Sequence, residues 1–341
     1  MRLVTVTPAG RRRYLEILAS YLLRNRHVID EHRWWVNTRD QGDIAYLHWL
    51  VDRWPDFFKL VDKPFDPSVH VGPQIWQFMS DCVEPETVYL RLDDDICYIA
   101  EDAIEKMYEH RLANPEPFLT LGSIVNNSVC THYYQKMGIV PERWGHVELE
   151  CEDVNGWLSG EFARKVHTKF LEDLDNGYQG KWRGLENDFD GLRRFSINVI
   201  CWRGEDMALV DERYHPSLQE ELIMTTVLPQ RFNRPMLICP DALFSHYAFF
   251  PQRKYLERVA PAILERYWRH AMTGASRRKS LAMSEKIRLG ARSTVGNAWF
   301  YSREVIHGAK YALKRVTKGK KAVTPKIMTN EDRPEPGSKA A

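Results

Sequence analysis

The chain has 341 residues, 44% of them hydrophobic, and a formal net charge of +2, which is enough apolar material for one large domain with a substantial core. No run approaches the ~18 to 20 continuous apolar residues of a membrane-spanning helix, and Met1-Arg2-Leu3-Val4-Thr5-Val6 enters a strand without a signal-peptide pattern, so a cytoplasmic protein is expected. Six scattered cysteines form no CxxC pair, which argues against a disulfide framework or a zinc site.

Residues 3–6 read as the first strand, Thr7 as a helix N-cap and Pro8 as the first helical residue, with Tyr14, Leu15, Ile17, Leu18, Tyr21 and Leu22 as the apolar stripe that follows. Arg11, Arg12 and Arg13 fall in the first turns, where positive charge opposes the helix dipole. A nearby anion such as a nucleotide phosphate would offset that cost, and three solvated arginines are the plain alternative. Residues 33–37 predict a second strand, 43–54 a helix, 57–61 a third strand and 70–83 another helix.

Val88-Tyr89-Leu90-Arg91-Leu92 then reads as a central strand that ends in Asp93-Asp94-Asp95, ahead of Ile96-Cys97-Tyr98-Ile99 and a helical pattern over 101–112. Residues 118–125 predict one more strand, and this alternation argues for a largely parallel sheet. Open α/β sheets bind ligands at the carboxyl ends of their strands. Adjacent, partly buried carboxylates repel and lose hydration, so a divalent cation at the triplet would offset the cost. The competing reading is an acidic turn that caps the helix near Glu101.

The second half carries Trp144, Trp157, Trp182 and Trp202 among Gly and charged residues. Indole faces stack on sugar rings but are first of all core material. A helix is expected over 160–174 and a strand over 195–202. Glu220-Glu221 precede a helix over 222–228, and two strands follow over 236–239 and 242–247, the second holding His246. From 269 to 321 there are about 14 basic residues against about two acids. Within that stretch Phe300, Val305, Ile306, Ala309 and Leu313 recur at near-helical spacing, which suits either an anionic membrane surface or packing on the body of the protein. The tail from 318 reads as disordered.

Taken in this order, the residues resemble the GT-A glycosyltransferases, whose nucleotide-binding half ends in a DxD motif at the end of a central strand. The resemblance covers about residues 3–251. It implies a GT-A-like Rossmann-type α/β fold, with a mixed, mostly parallel sheet flanked by helices and a C-terminal helical basic extension. The expected domains are 1–265 as the catalytic domain (1–127 nucleotide-binding half, 128–265 acceptor half), 266–317 as the basic helical extension and 318–341 as the tail. Asp93 and Asp95 would hold Mn²⁺ or Mg²⁺ across the donor's phosphates, with Asp95 coordinating directly, Asp93 also near the ribose, and His246 completing the shell. Asp94 would point the other way and carry structure.

Under the same resemblance Glu221, or Glu220 in its place, would take the acceptor's proton, with inversion and retention both open. The donor's base and ribose would lie near Thr5, Thr7, Asn37 and Thr38, with Arg12 or Arg91 on the phosphates. The implied reaction is sugar transfer from a nucleotide-diphosphate sugar to a hydroxyl of a glycan or lipid-linked acceptor. Two other readings are a metal-dependent phosphoryl transferase or phosphatase and a non-catalytic saccharide-binding protein. The first is disfavoured because a haloacid-dehalogenase DxDx[TV] segment belongs after the first strand, whereas here the acids come later and continue as Asp95-Ile96-Cys97. No helix-turn-helix, zinc-finger or RNA-recognition signature points to nucleic acid.

Overall fold

The computed structural model describes residues 1–64, 71–210 and 219–272. The expected basic extension beyond 272, the tail, His70 and Ser217-Leu218 lie outside the described residues. Among the described residues eight strands form one sheet: β1 (Arg2–Ala9), β2 (Glu31–Val36), β3 (Phe58–Val61), β4 (Thr87–Leu92), β5 (Ile96–Ile99), β6 (Leu119–Val125), β7 (Val199–Arg203) and β8 (Met236–His246). The helices are α1 (Arg12–Arg24), α2 (Gln41–Arg53), α3 (Val71–Met79), α4 (Ala103–Ala113), α5 (Ser128–Lys136), α6 (Gly160–Asp175), α7 (Gly204–Met207), α8 (Glu220–Leu222), α9 (Leu228–Phe232), α10 (Phe250–Val259) and α11 (Ala262–Met272). A π-helical turn, Ile223–Val227, joins α8 to α9. Among the described residues no helix is long and apolar enough to cross a membrane.

The strand order is β3-β2-β1-β4-β7-β6-β8-β5. The pairs β1–β2, β2–β3, β1–β4 and β6–β8 are parallel, and β7 and β5 run against their neighbours. The fold is therefore mixed α/β with a mostly parallel sheet, as expected from the alternation of elements. The expected halves share this sheet, because β7 from the second half lies between β4 and β6. The expected boundary at 265 falls inside α11, which packs on α1, α6 and β5.

Two of the strand boundaries that differ from expectation bear on the site. Strand β1 continues through Thr7 and Pro8 to Ala9, so Thr7 is not an N-cap and α1 starts at Arg12 behind Arg11. Pro8 is tolerated because β4 pairs with β1 only from Arg2 to Val6, which leaves the end of β1 with β2 as its one partner. Conversely β7 begins at Val199, with residues 195–196 irregular and 197–198 in a turn. The two strands expected over 236–247 are one strand, β8, whose register against β6 shifts between Ile238 and Leu243, the region of Pro240.

Chain geometry shapes the sheet around the acidic triplet. Strands β4 and β5 are four places apart in the order, roughly 19 Å in a flat sheet at about 4.8 Å per strand. Only Asp93-Asp94-Asp95 connect them, and four residue steps reach at most about 14 Å. The sheet therefore curls, which brings the end of β8 beside the end of β4: Ile96 pairs with His246, and the Tyr247 N–H donates to the Asp95 carbonyl at 2.9 Å.

At the opposite end of the sheet a buried ionic clamp ties α4 to α7. Arg111 is 0% exposed and donates to Asp206 Oδ2 at 2.8 Å, while Arg234 donates to Asp206 Oδ1 at 2.6 Å and to the Glu116 carbonyl at 2.7 Å. Removing one partner of such a pair strands a buried charge. Asp206→Ala should lower unfolding free energy by about 3–5 kcal/mol, read as a fall in the urea midpoint.

Candidate active site

The triplet sits where the strand order reverses direction. From β1 the chain moves outward to β2 and β3 and then returns to β4 on β1's other side, which makes the carboxyl ends of β1 and β4 a topological switch point. Gly10 follows β1 there, and a Cβ on it would come within 2.8 Å of the Asn37 carbonyl oxygen. This close approach lets the Gly10 N–H reach Asp94 Oδ2 at 3.2 Å.

Each acid of the triplet has its own partners. Asp94 faces Gly10 and Arg11, whose Nε donates to Oδ2 at 3.0 Å and whose Nη2 pairs with Oδ1. Asp93 accepts from Arg91 Nη2 at 2.8 Å and from Asn198 Nδ2 at 3.0 Å. Asp95 is 1% exposed and meets Arg11 Nη2 at 3.2 Å, Arg253 Nη2 at 3.3 Å and His246 Nε2 at 3.3 Å. Burial raises the Asp93 carboxyl despite Arg91, with the charge of Asp95 adding to the rise. Burial acts the same way on Asp95, but Arg11, His246 and Arg253 outweigh it and hold that carboxyl far below its ordinary value. One acid is held as an anion and its neighbour is eager for a proton or a cation.

His246 is oriented from behind. Its Nδ1 lies 3.5 Å from the Asn126 carbonyl, and Asn126 adopts a left-handed backbone conformation, φ 63°, which Asn tolerates better than most side chains. The Asn126 amide donates to the Tyr247 carbonyl at 3.1 Å and to Gln252 Oε1 at 3.0 Å, tying the end of β8 to α10. Asp93, Asp95 and His246 consequently offer ligand atoms that all lie within 4.8 Å of one another. Two carboxylate oxygens and an imidazole nitrogen form a donor set that could hold a divalent metal ion.

These groups line a cleft of about 230 Å³ that also takes in Asn37, Arg91, Glu220 and Glu221. Arg91 is 3% exposed, and its Nε and Nη1 have no hydrogen-bond partner among the described residues. Each such orphan costs about 1–3 kcal/mol. Glu220 lies 3.9 Å from Arg91 Nη2. Burial, against the pull of Arg91 and with help from Glu221 and Asp93, lifts its carboxyl to about 7. Burial also raises Glu221, but that side chain is held by Arg194 at 2.7 Å.

Four expected residues are elsewhere. Thr5 is fully buried and bonded to His32 Nδ1 at 2.8 Å, and Thr7 is fully buried within the extended β1; neither lines the cleft. Arg12 pairs with Glu16 at 3.2 Å and lies over the Tyr46 ring on the far side of α1, because α1 starts later than expected and Arg11 takes the inward position. Thr38 Oγ1 donates to Asp43 and accepts from the Asp40 N–H at the start of α2. Trp182 and Trp202 are fully buried core residues, whereas Trp157 lies 6.3 Å from the Phe249 ring at the cleft's edge. Sequence reasoning passed over Asn198, Arg253 and Asn126. A polar residue inside an apolar run, as in Ile197-Asn198-Val199, was the available signal for the first.

No protein-family model and no curated protein matches the chain. Among solved structures it is similar in fold to a CMP:2-keto-3-deoxy-manno-octonic acid synthetase complexed with CTP, with 10% identity over 78% of this chain and 99% of the other and a TM-score of 0.39. It is also similar to the 4-diphosphocytidyl-2C-methyl-D-erythritol synthase of Anaerococcus prevotii, with 11% identity over 77% and 98% and a TM-score of 0.40. A galactosyltransferase in complex with donor and acceptor sugar analogs gives 11%, 68%, 65% and 0.32. Likeness at this level leaves the chemistry to be read from the cleft.

Asp94 anchors Arg11 and Gly10 rather than the cleft's ligand atoms. Asp94→Ala should therefore cost about 1.5–3 kcal/mol of stability for its charge-assisted hydrogen bonds, while Asp94→Asn, which can still accept from Gly10, should cost less. Chemical denaturation of the two variants side by side measures the difference.

Proposed function

We propose that this chain is a metal-dependent glycosyltransferase of the GT-A type, moving a sugar from a nucleoside-diphosphate sugar to an acceptor hydroxyl. The observation that carries the reading is the convergence of Asp93, Asp95 and His246 within 4.8 Å in one cleft with the half-orphaned Arg91 and the perturbed Glu220. Metal ligands, a cation with free donors and a near-neutral carboxylate are the three kinds of group that such a transfer needs. The donor would be bound by its diphosphate, with Asn37 as the residue nearest the end of β2 for its nucleoside. A glycan or lipid-linked acceptor fits the aromatic edge formed by Trp157 and Phe249.

In this reading Asp93, Asp95 and His246 hold the dication, which when bound neutralises charge on the departing diphosphate. Arg91 presents Nε and Nη1 to phosphate oxygens and keeps Asp93 oriented through Nη2. Asn198 fixes the other Asp93 oxygen and is itself held by the Asn127 amide at 3.1 Å. We assign the base to Glu220 rather than Glu221, whose charge is committed to Arg194. The acceptor O–H gives its proton to Glu220 as its oxygen bonds to the anomeric carbon. The bond from that carbon to phosphate oxygen breaks and its electron pair leaves with the diphosphate, so the displacement is direct and inverting.

A screen of nucleotide-sugar turnover with Mn²⁺, with and without chelator, tests the proposal. Asp95→Asn should abolish metal-dependent turnover by at least about 100-fold while the variant keeps its fold by circular dichroism; full activity would remove the metal role. A base must be deprotonated to act, so turnover should be low in acid and rise with pH through about 7, the value to which Glu220 is lifted. Glu220→Gln should flatten that limb and lower kcat much more than it raises KM.

A further inference from the structure

Asp95 has more cationic partners than a metal ligand can keep. Its Oδ1 faces His246 Nε2, and its Oδ2 faces both Arg11 and Arg253. A dication on Asp95 would compete with this positive charge for the one carboxylate, and the two arginines are not equally free to leave. Arg11 is fastened to Asp94 through both Nε and Nη2 and lies over the Tyr14 ring at 5.1 Å. Arg253 approaches Asp95 with the same Nη2 that donates to the Ala248 carbonyl at 3.2 Å. Its Nε is buried without a hydrogen-bond partner among the described residues. It stands on α10 just beyond Phe249 and Phe250, at the cleft's rim, with its side chain 25% exposed.

We propose that Arg253 is a counter-ion latch on Asp95, which the incoming dication displaces and which then moves to the donor's diphosphate. This rests on the transferase reading and adds a sign to it: one guanidinium opposes metal binding and favours diphosphate binding. With Arg253 on Asp95 the carboxylate is neutralised from within, so metal alone binds weakly. Once the dication is in place, the released guanidinium is repelled by it and attracted by phosphate oxygens in the same cleft. Metal and diphosphate thereby strengthen each other's binding, and the coupling is reciprocal. Arg253 is a positioning residue in this scheme.

The test uses the full chain and two probes. Mn²⁺ binding without nucleotide is followed by electron paramagnetic resonance. Binding of uridine, guanosine, cytidine and adenosine diphosphates at saturating Mn²⁺ is followed by calorimetry. Arg253→Gln should bind Mn²⁺ at least about tenfold tighter than the unmodified chain and the preferred diphosphate at least about tenfold weaker, with Arg253→Lys restoring both toward the original values. Equal values in the variant and the unmodified chain, or weakening of both probes, would overturn the latch, the latter outcome marking Arg253 as mere support for Asp95. The transferase reading fails separately, if Asp95→Asn binds Mn²⁺ as well as the unmodified chain does, or if neither the unmodified chain nor Arg253→Gln binds it.

Discussion

Everything in the cleft follows from taking Asp93, Asp94 and Asp95 out of water at one strand end. Three adjacent carboxylates with side chains at most about a fifth exposed cannot all keep their charge without compensation. The molecule answers each one differently. Asp94 receives a backbone N–H and a two-pronged guanidinium, Asp93 receives a deeply buried arginine and an amide, and Asp95 receives two guanidinium groups and an imidazole. The outcome is a fixed anchor at the middle position and two flanking carboxylates directed toward the same small volume.

The core of this arrangement was legible in the sequence because β4 is buried along its whole length, and such a strand reads as a largely apolar run, interrupted here by Arg91, that ends in the acids. Helix α6 was equally plain, its apolar stripe Phe162, Val166, Phe170 and Leu171 being fully buried. The start of α1 was not. Thr7-Pro8 carry the local chemistry of a helix start, yet the pairing of β1 with β2 through Ala9 and Val36 overrides it. The consequence is functional as well as structural, since each residue turns a helix by about 100° and neighbouring arginines therefore face different surroundings. Arg11 meets the acids and Arg12 meets Tyr46.

What remained hidden was long-range pairing. Nothing local in residues 199–203 tells that this strand inserts between β4 and β6 and runs against both, and Asn198 reaches Asp93 only through that insertion. His246 was legible as a candidate but its meeting with Asp95 was not, because it depends on the sheet curling over a crossing of three residues. The same holds for Glu220 and Glu221. Both precede a helix and look alike in sequence, but Arg194 claims one and Arg91 stands beside the other, so their proton affinities belong to their neighbours more than to their position in the chain.

The short crossing from Leu92 to Ile96 also works as a clasp. Asp93 donates its N–H to the Asn198 carbonyl beside β7, while the Asp95 carbonyl accepts from Tyr247 beyond β8, so two seams of the sheet meet within one three-residue crossing. Fraying at one seam would therefore pull on the other, and anything that stiffens the acids would stiffen both. Occupancy of the cleft would thus be felt as slower amide exchange along β5 and β8, far along the strand order from β1 and β2.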